Sequence, residues 1–320
     1  MEDGVASDAT RPPAGDLMIP MEKLQQLTRG ASGRAYRSYA DIVRLTRHSG
    51  AARDVSKISK IFENQSRRDL PRWNLATEIG HENYRNRFAP ASGTVALLCS
   101  SHRPSDVDNV VQCVSQQVHD DFEFVFIAHG DNWDLRRLED DLSALEPIVR
   151  QVTVLQRGSS AELGDCLNAG LAATNARFVG KIDSDDWYGP HYLRDALRAH
   201  SYSEAGIVGK HTYYSFLESS GDYFLRFPGN EFRYTSTMSG GTFLIDRDIV
   251  DDMRFASVSI GEDRDYLRRC HRRGISTFSG DRFNYVVVRS QANTWRIPDK
   301  DFVRSSIRLG SGLELATIER

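Results

Sequence analysis

No apolar run in the chain approaches the roughly 18 residues that a membrane-spanning helix requires, so no transmembrane segment is expected. The first residues, Met1-Glu2-Asp3-Gly4, are acidic and lack an apolar core, so no secretory leader is expected either. Cysteine is scarce. Cys99, Cys113, Cys166 and Cys270 are the whole supply, no two have metal-ligand or redox spacing, and each sits in an apolar segment. They are expected to be buried thiols in a reducing cytoplasm. Charge of one sign is not in large excess. The chain has 41 Lys and Arg against 44 Asp and Glu, a net −3, which argues against wholesale nucleic-acid binding. No internal repeat is present.

What is present suffices for a sizeable core: 320 residues, 40% of them hydrophobic. Residues 1–20 are small, polar and Pro-containing, and are expected to be a disordered tail. Residues 21–90 have apolar positions near helical spacing (Val55, Ile58, Ile61, Phe62) and are expected to be a helical extension. From Ile19 to Pro90 there are 14 Lys and Arg against 7 Asp and Glu. A solvated helical face is the ordinary reading of that excess; an anionic substrate, a membrane surface or a second subunit, hence a homodimer, are the alternatives.

From residue 94 the pattern changes to alternating strands and helices. Strands are expected at 95–99, 122–127, 152–155 and 178–182, with helices from Ser105 or Asp106, at 134–145 and at 161–173. That alternation predicts an α/β domain with a mainly parallel sheet covered on both faces. Beyond residue 200 the regularity weakens to mixed strands (207–209, 242–245, 283–288) and one clear helix, 262–273, closed by Gly274.

The fourth strand ends in Asp183-Ser184-Asp185-Asp186. Unpaired carboxylates at the end of a buried strand are costly, so such a cluster points to a bound cation or proton. Oxygen ligands suit Mg²⁺ or Mn²⁺, and Mg²⁺ commonly combines one or two carboxylates with phosphate oxygens. Ligands of open α/β sheets sit at the carboxyl ends of the strands. A second acidic motif, Gly261-Glu262-Asp263-Arg264-Asp265, opens the 262–273 helix and follows the run Ser239-Gly240-Gly241-Thr242. Alone, the first motif also reads as a polar turn, and the second as an ordinary capped helix.

Together, in this order, they resemble the GT-A glycosyltransferases, specifically the inverting family 2. Residues 94–104 stand where that family has its first strand and nucleobase-contacting turn. Gly164-Asp165-Cys166-Leu167-Asn168-Ala169-Gly170 resembles its G-x-x-x-A-R-N-x-G helix, and Asn293-Thr294-Trp295 follows the last strand where many members carry a substrate loop. The resemblance covers roughly residues 92–300. It implies a GT-A fold (a Rossmann-like mixed sheet) over 91–300, with 301–320 as a C-terminal tail. It implies a metal-dependent inverting transfer of a sugar, glucose by default, from a nucleoside-diphosphate sugar, UDP favoured, to a hydroxyl of a soluble glycan or small natural product. Asp263 is then the base and Glu262 its helper. Asp185, Asp183 and Asp186 are the candidate ligands of Mn²⁺ or Mg²⁺. Ser100, Ser101, Arg103, His129, Asn168, Lys181, Asp183, Ser184, Asp185, Gly240, Gly241 and Arg289 are the donor-side candidates, and Trp295 and Trp187 the acceptor-side ones.

The sequence departs from the family pattern in places. Ala128-His129-Gly130-Asp131 replaces the usual Asp-Asp-Gly-Ser, Leu167 replaces an arginine, and Arg289 stands near a position where many members have histidine. Arg289 is expected to neutralise the diphosphate in its place. Two other readings compete. A sugar-phosphate nucleotidyltransferase would carry a Gly-rich loop after the first strand, where this chain has Ser100-Ser101-His102-Arg103-Pro104. A non-catalytic nucleotide-sugar or carbohydrate-binding module would not need Asp263.

Overall fold

The computed structural model describes residues 63–64, 67–119, 121–312 and 315–320. The expected tail at 1–20 and helical reading of 21–62 lie outside the described residues. Helix α1 (Leu70–Arg87) begins at an Asp69 cap that accepts from the Arg72 N–H, and carries proline in its first turn, where no N–H is needed.

The alternating segment folds as the periodicity predicts: β1 (Val95–Ser101), α2 (Val107–Ser115), β2 (Phe122–His129), α3 (Leu135–Ser143), β3 (Gln151–Arg157), α4 (Leu163–Ala172) and β4 (Phe178–Asp183). There follow β5 (Trp187–Tyr188), α5 (Tyr192–Ser203), β6 (Ile207–Gly209), β7 (Tyr213–Leu217), β8 (Asp222–Arg226), β9 (Arg233–Tyr234), β10 (Leu244–Asp246), α6 (Glu262–Arg272), β11 (Thr277–Ser279), β12 (Tyr285–Arg289) and β13 (Ser306–Ser311).

Eight strands form one sheet in the order β3-β2-β1-β4-β10-β6-β11-β9. The first four are parallel, with Val95 opposite Phe122 on one side and Phe178 on the other. β10 then runs antiparallel between β4 and β6. Helices cover both faces of the parallel half, so β1 and β4 read as continuous apolar runs rather than alternating ones. A second sheet, β13-β8-β7-β12-β5, stands beside it. The sequence missed its β7–β8 hairpin. It also expected a tail at 301–320, but there β13 pairs antiparallel with β8 and Ile318 is fully buried. Its apolar positions are only half-buried, so period-two patterning was weak.

Gly164 shows how tightly α4 is docked. A Cβ there would stand 1.8 Å from the Ala256 carbonyl oxygen, and the Gly164 N–H donates to Val258 O. Gly164→Ala is expected to cost about 1–3 kcal/mol by overpacking, read as a lowered midpoint in thermal or urea denaturation.

Candidate active site

The carboxyl ends of β1, β2 and β4 open onto a cleft of about 870 Å³, walled on the far side by the second sheet and by the start of α6. The aspartate motif leaves β4 at its rim, and its three carboxylates have different surroundings. Asp183 Oδ1 accepts from Lys181 Nζ at 2.8 Å. Asp185 Oδ2 meets Arg103 Nη2 and Asn293 Nδ2, each at 2.7 Å. Asp186 is buried, with Tyr285 Oη donating to one oxygen at 2.7 Å and Val288 N–H to the other at 3.0 Å. Burial, with Asp185 and Asp183 beside it, raises its carboxyl well above the usual range. Asp186 is therefore placed as a brace between the end of β4 and β12, a poor position for a metal ligand. Asp183 and Asp185 remain, with side chains 38% and 26% exposed.

Those two fit a hard divalent cation by the chemistry of their donors. Among the described residues, Asp183 Oδ2 and Asp185 Oδ1 accept no hydrogen bond, leaving one free carboxylate oxygen on each. Two such oxygens completed by phosphate oxygens are a Mg²⁺-type set.

Lys181, buried on β4, has Asp183 on one side and Glu262 at 3.9 Å on the other. Burial opposes its charge, but Asp183 and Glu262 outweigh that and raise its pKa. Glu262 is also buried; desolvation, reinforced by Asp263, raises its carboxyl despite Lys181. Asp263 is half-buried in the first turn of α6, where its Oδ1 accepts from the Arg264 N–H at 2.6 Å. Gly261 caps this helix with φ +84°, a conformation that favours glycine.

The two acidic motifs meet across Gly240-Gly241. A Cβ on Gly240 would lie 2.4 Å from Asp263 Oδ2, and one on Gly241 2.5 Å from Asp183 Oδ2. The bare backbone of this turn is thus a spacer between carboxylates 80 residues apart in sequence. Tyr188 fixes it: its hydroxyl accepts from the Asp183 N–H and donates to Gly241 O, both at 2.8 Å.

Ser100, Arg103, His129, Ser184, Arg289 and Trp295 also line the cleft, Trp295 being 47% exposed. Arg103 joins Asp106 to Asp185 through its guanidinium. His129 Nε2 pairs with Ala161 O. Arg289, expected to face a diphosphate, directs its guanidinium to Trp295 O and Ile297 O and so holds the 290–297 loop. Three expected contacts lie elsewhere. Ser101 is buried behind the rim on Ser184 Oγ. Asn168 clamps Phe255 through both its N–H and C=O, at 2.8 and 2.9 Å, because its helix packs on the 255–258 strip. Trp187 is core, 8% exposed. Sequence reasoning weighed Tyr188 only as a ring to stack on a ligand, and it missed Tyr285, whose ring reads as core, Arg226 at the end of β8 and His211 just before β7. A long-range contact leaves no local spacing signal.

Comparison with known proteins agrees with this geometry. Residues 97–264, just over half of the chain, match the family model Glycosyl transferase family 2. Among solved structures, Staphylococcus aureus TarS 1–349 in complex with UDP-GlcNAc is similar with TM-score 0.51 and 14% identity, over 67% of this chain and 64% of that one. TarS 1–349 alone gives 0.48 and 15%, over 61% and 60%. The mannosyltransferase PcManGT from Pyrobaculum calidifontis, in complex with GDP-Man and Mn²⁺, gives 0.48 and 12%, over 69% of each chain. The chain thus spans less than two thirds of the length of TarS 1–349. No curated protein matches. Strand-end aspartates meeting a helix-borne Glu-Asp across a glycine turn, inside a stretch with the family's own sequence pattern, place this chain in glycosyl transferase family 2, as a glycosyltransferase of GT-A fold.

Proposed function

We propose that this cleft transfers a sugar, glucose by default, with inversion from a nucleoside-diphosphate sugar, UDP favoured, to a hydroxyl of a soluble acceptor. The observation that carries the reading is the convergence of Asp183 and Asp263 on opposite sides of Gly240-Gly241. The acceptor oxygen bonds to the anomeric carbon while the bond from that carbon to the diphosphate oxygen breaks, and the diphosphate leaves with the electron pair. The acceptor proton passes to the Asp263 carboxylate in the first turn of α6. Glu262 and Lys181 position that terminus, and Arg103 holds Asp185 at the donor side. Asp183 and Asp185 would hold Mn²⁺ or Mg²⁺, which when bound supplies Lewis-acid stabilisation of the leaving diphosphate. Trp295 offers an exposed ring for the acceptor. No helix among the described residues is long and apolar enough to cross a membrane, and all four cysteines are free and buried, in keeping with action in the cytoplasm.

The test is calorimetric titration of UDP, GDP and dTDP, with and without Mn²⁺, into wild type and Asp185→Ala. One nucleotide is expected to bind in a metal-dependent way, with affinity falling at least about tenfold in the variant, the scale of losing one charge-assisted contact. No binding of any nucleotide would leave the motif as a structural turn.

A further inference from the structure

The wall of the cleft formed by the second sheet holds a cation that no carboxylate among the described residues neutralises. Arg226, the last residue of β8, lines the cleft and is only 5% exposed. Among the described residues, its buried Nε and Nη1 have no hydrogen-bond partner and no carboxylate forms an ion pair with it. Its surroundings are aromatic: the guanidinium carbon lies 3.6 Å from the Phe302 ring centre, 4.8 Å from Phe227 and 5.7 Å from Tyr213. The Arg289 guanidinium lies 5.3 Å from the centre of the same Phe302 ring, a second positive charge close to the first. Burial, with the repulsion from Arg289, lowers the Arg226 pKa.

Stacking on rings recovers part of the cost of burying a guanidinium but satisfies none of its in-plane N–H donors. A buried charge normally has a counter-ion and filled hydrogen bonds. The next residue, Phe227, takes a left-handed backbone (φ +46°), an unusual conformation for a bulky side chain that tends to occur at functional sites. The position shares its cleft with the base: Arg226, the Tyr213 ring beside it and Asp263 all line the same cavity.

We propose that Arg226 is an acceptor-recognition residue, and that the acceptor carries an anionic group, a carboxylate or a phosphate, which its free N–H donors receive. This rests on the glycosyltransferase reading above and adds the acceptor's chemical class. An arginine fork matches either oxyanion in a bidentate geometry.

The test titrates three probes into the full chain saturated with Mn²⁺ and whichever nucleoside diphosphate binds: methyl glucoside, glucuronate and glucose 6-phosphate. At least one anionic probe is expected to bind wild type about tenfold more tightly than methyl glucoside. Which one does so separates carboxylate from phosphate. Arg226→Met should abolish that preference, and Arg226→Lys should restore part of it. Equal binding of all three probes to wild type would overturn the proposal without any variant. So would a loss of nucleotide affinity in Arg226→Met with the probe preference intact, which would assign the residue to the donor diphosphate. Nucleotide binding is read in the same titrations, so failure of the donor site is seen separately from failure of the anion preference.

Discussion

Asp263→Asn is expected to slow sugar transfer by about 10²–10⁴-fold, the usual contribution of a positioned general base, while nucleotide affinity is unchanged. The substitution keeps shape and removes only the capacity to take a proton. The asparagine carbonyl oxygen can still accept from the Arg264 N–H, as Asp263 Oδ1 does, so the first turn of α6 is preserved. Donor binding should persist because Asp263 lies across the Gly240-Gly241 turn from Asp183. Glu262→Gln should be milder, since Glu262 is buried against Lys181 and acts by positioning. Single-turnover transfer measured at saturating donor separates these effects. A wild-type rate in Asp263→Asn would move the base elsewhere and revive the binding-module reading.

The second large effect is on stability, at the seat of α1. Asp195 of α5 is buried, and its carboxylate receives Arg85 at 3.1 and 2.7 Å, His81 at 3.3 Å and Arg198 at 3.0 Å. Nearby, Arg282 is buried between Glu231 and the Asn74 and Thr77 side chains of α1, and Lys210 meets Asp281 at 2.9 Å. His81, Asp195 and Asp281 are close enough together to suggest a metal site, but Arg85 and Lys210 already neutralise the two carboxylates. Asp195→Ala would leave the partly buried Arg85 and Arg198 and the buried His81 without their shared carboxylate, and is expected to cost about 3–5 kcal/mol. At about 2–4 °C per kcal/mol for a domain of this class, the melting midpoint should drop by about 6–20 °C.

The pH dependence has a defined sign. Burial opposes the Asp195 charge, but hydrogen bonds from His81 and Arg85 outweigh it and hold the carboxyl well below the usual carboxylate range. A depressed folded pKa contributes stability that is present above the unfolded value, near pH 4, and lost as pH falls toward the folded one. The gap in melting midpoint between wild type and Asp195→Ala should therefore be full at neutral pH and narrow below about pH 4. A gap that is constant with pH would show that packing, not charge, holds α1.

The parallel half of the fold was legible because each strand is buried on both faces and each helix shows one apolar stripe. The run Phe178–Asp183 and the valine spacing of α2 announce themselves locally. The two acidic motifs were legible for the same reason, as charge breaking out of apolar context. Of the second sheet only β12 was legible, as the expected strand at 283–288; β7, β8 and β13 were not, because they mix buried and half-buried positions and are fixed by pairing with distant segments. Asn168, Trp187 and Asp186, expected at ligands, meet protein partners in the structure. Residue type predicts what a side chain can bind, whereas packing decides what it meets first: Phe255, the core, and Tyr285 with Val288.

The glycine turn between Asp183 and Asp263 has a consequence for how such an enzyme diversifies. The gap between these carboxylates is set by main chain, with no side chain in it to mutate. Arg226 and Tyr213 belong to a different sheet, with Phe227 directly after β8, and can change without altering that gap. With Arg226 as the proposed acceptor-reading residue, acceptor range and reaction chemistry become separable heritable traits, the one carried by β7 and β8 and the other by the turn.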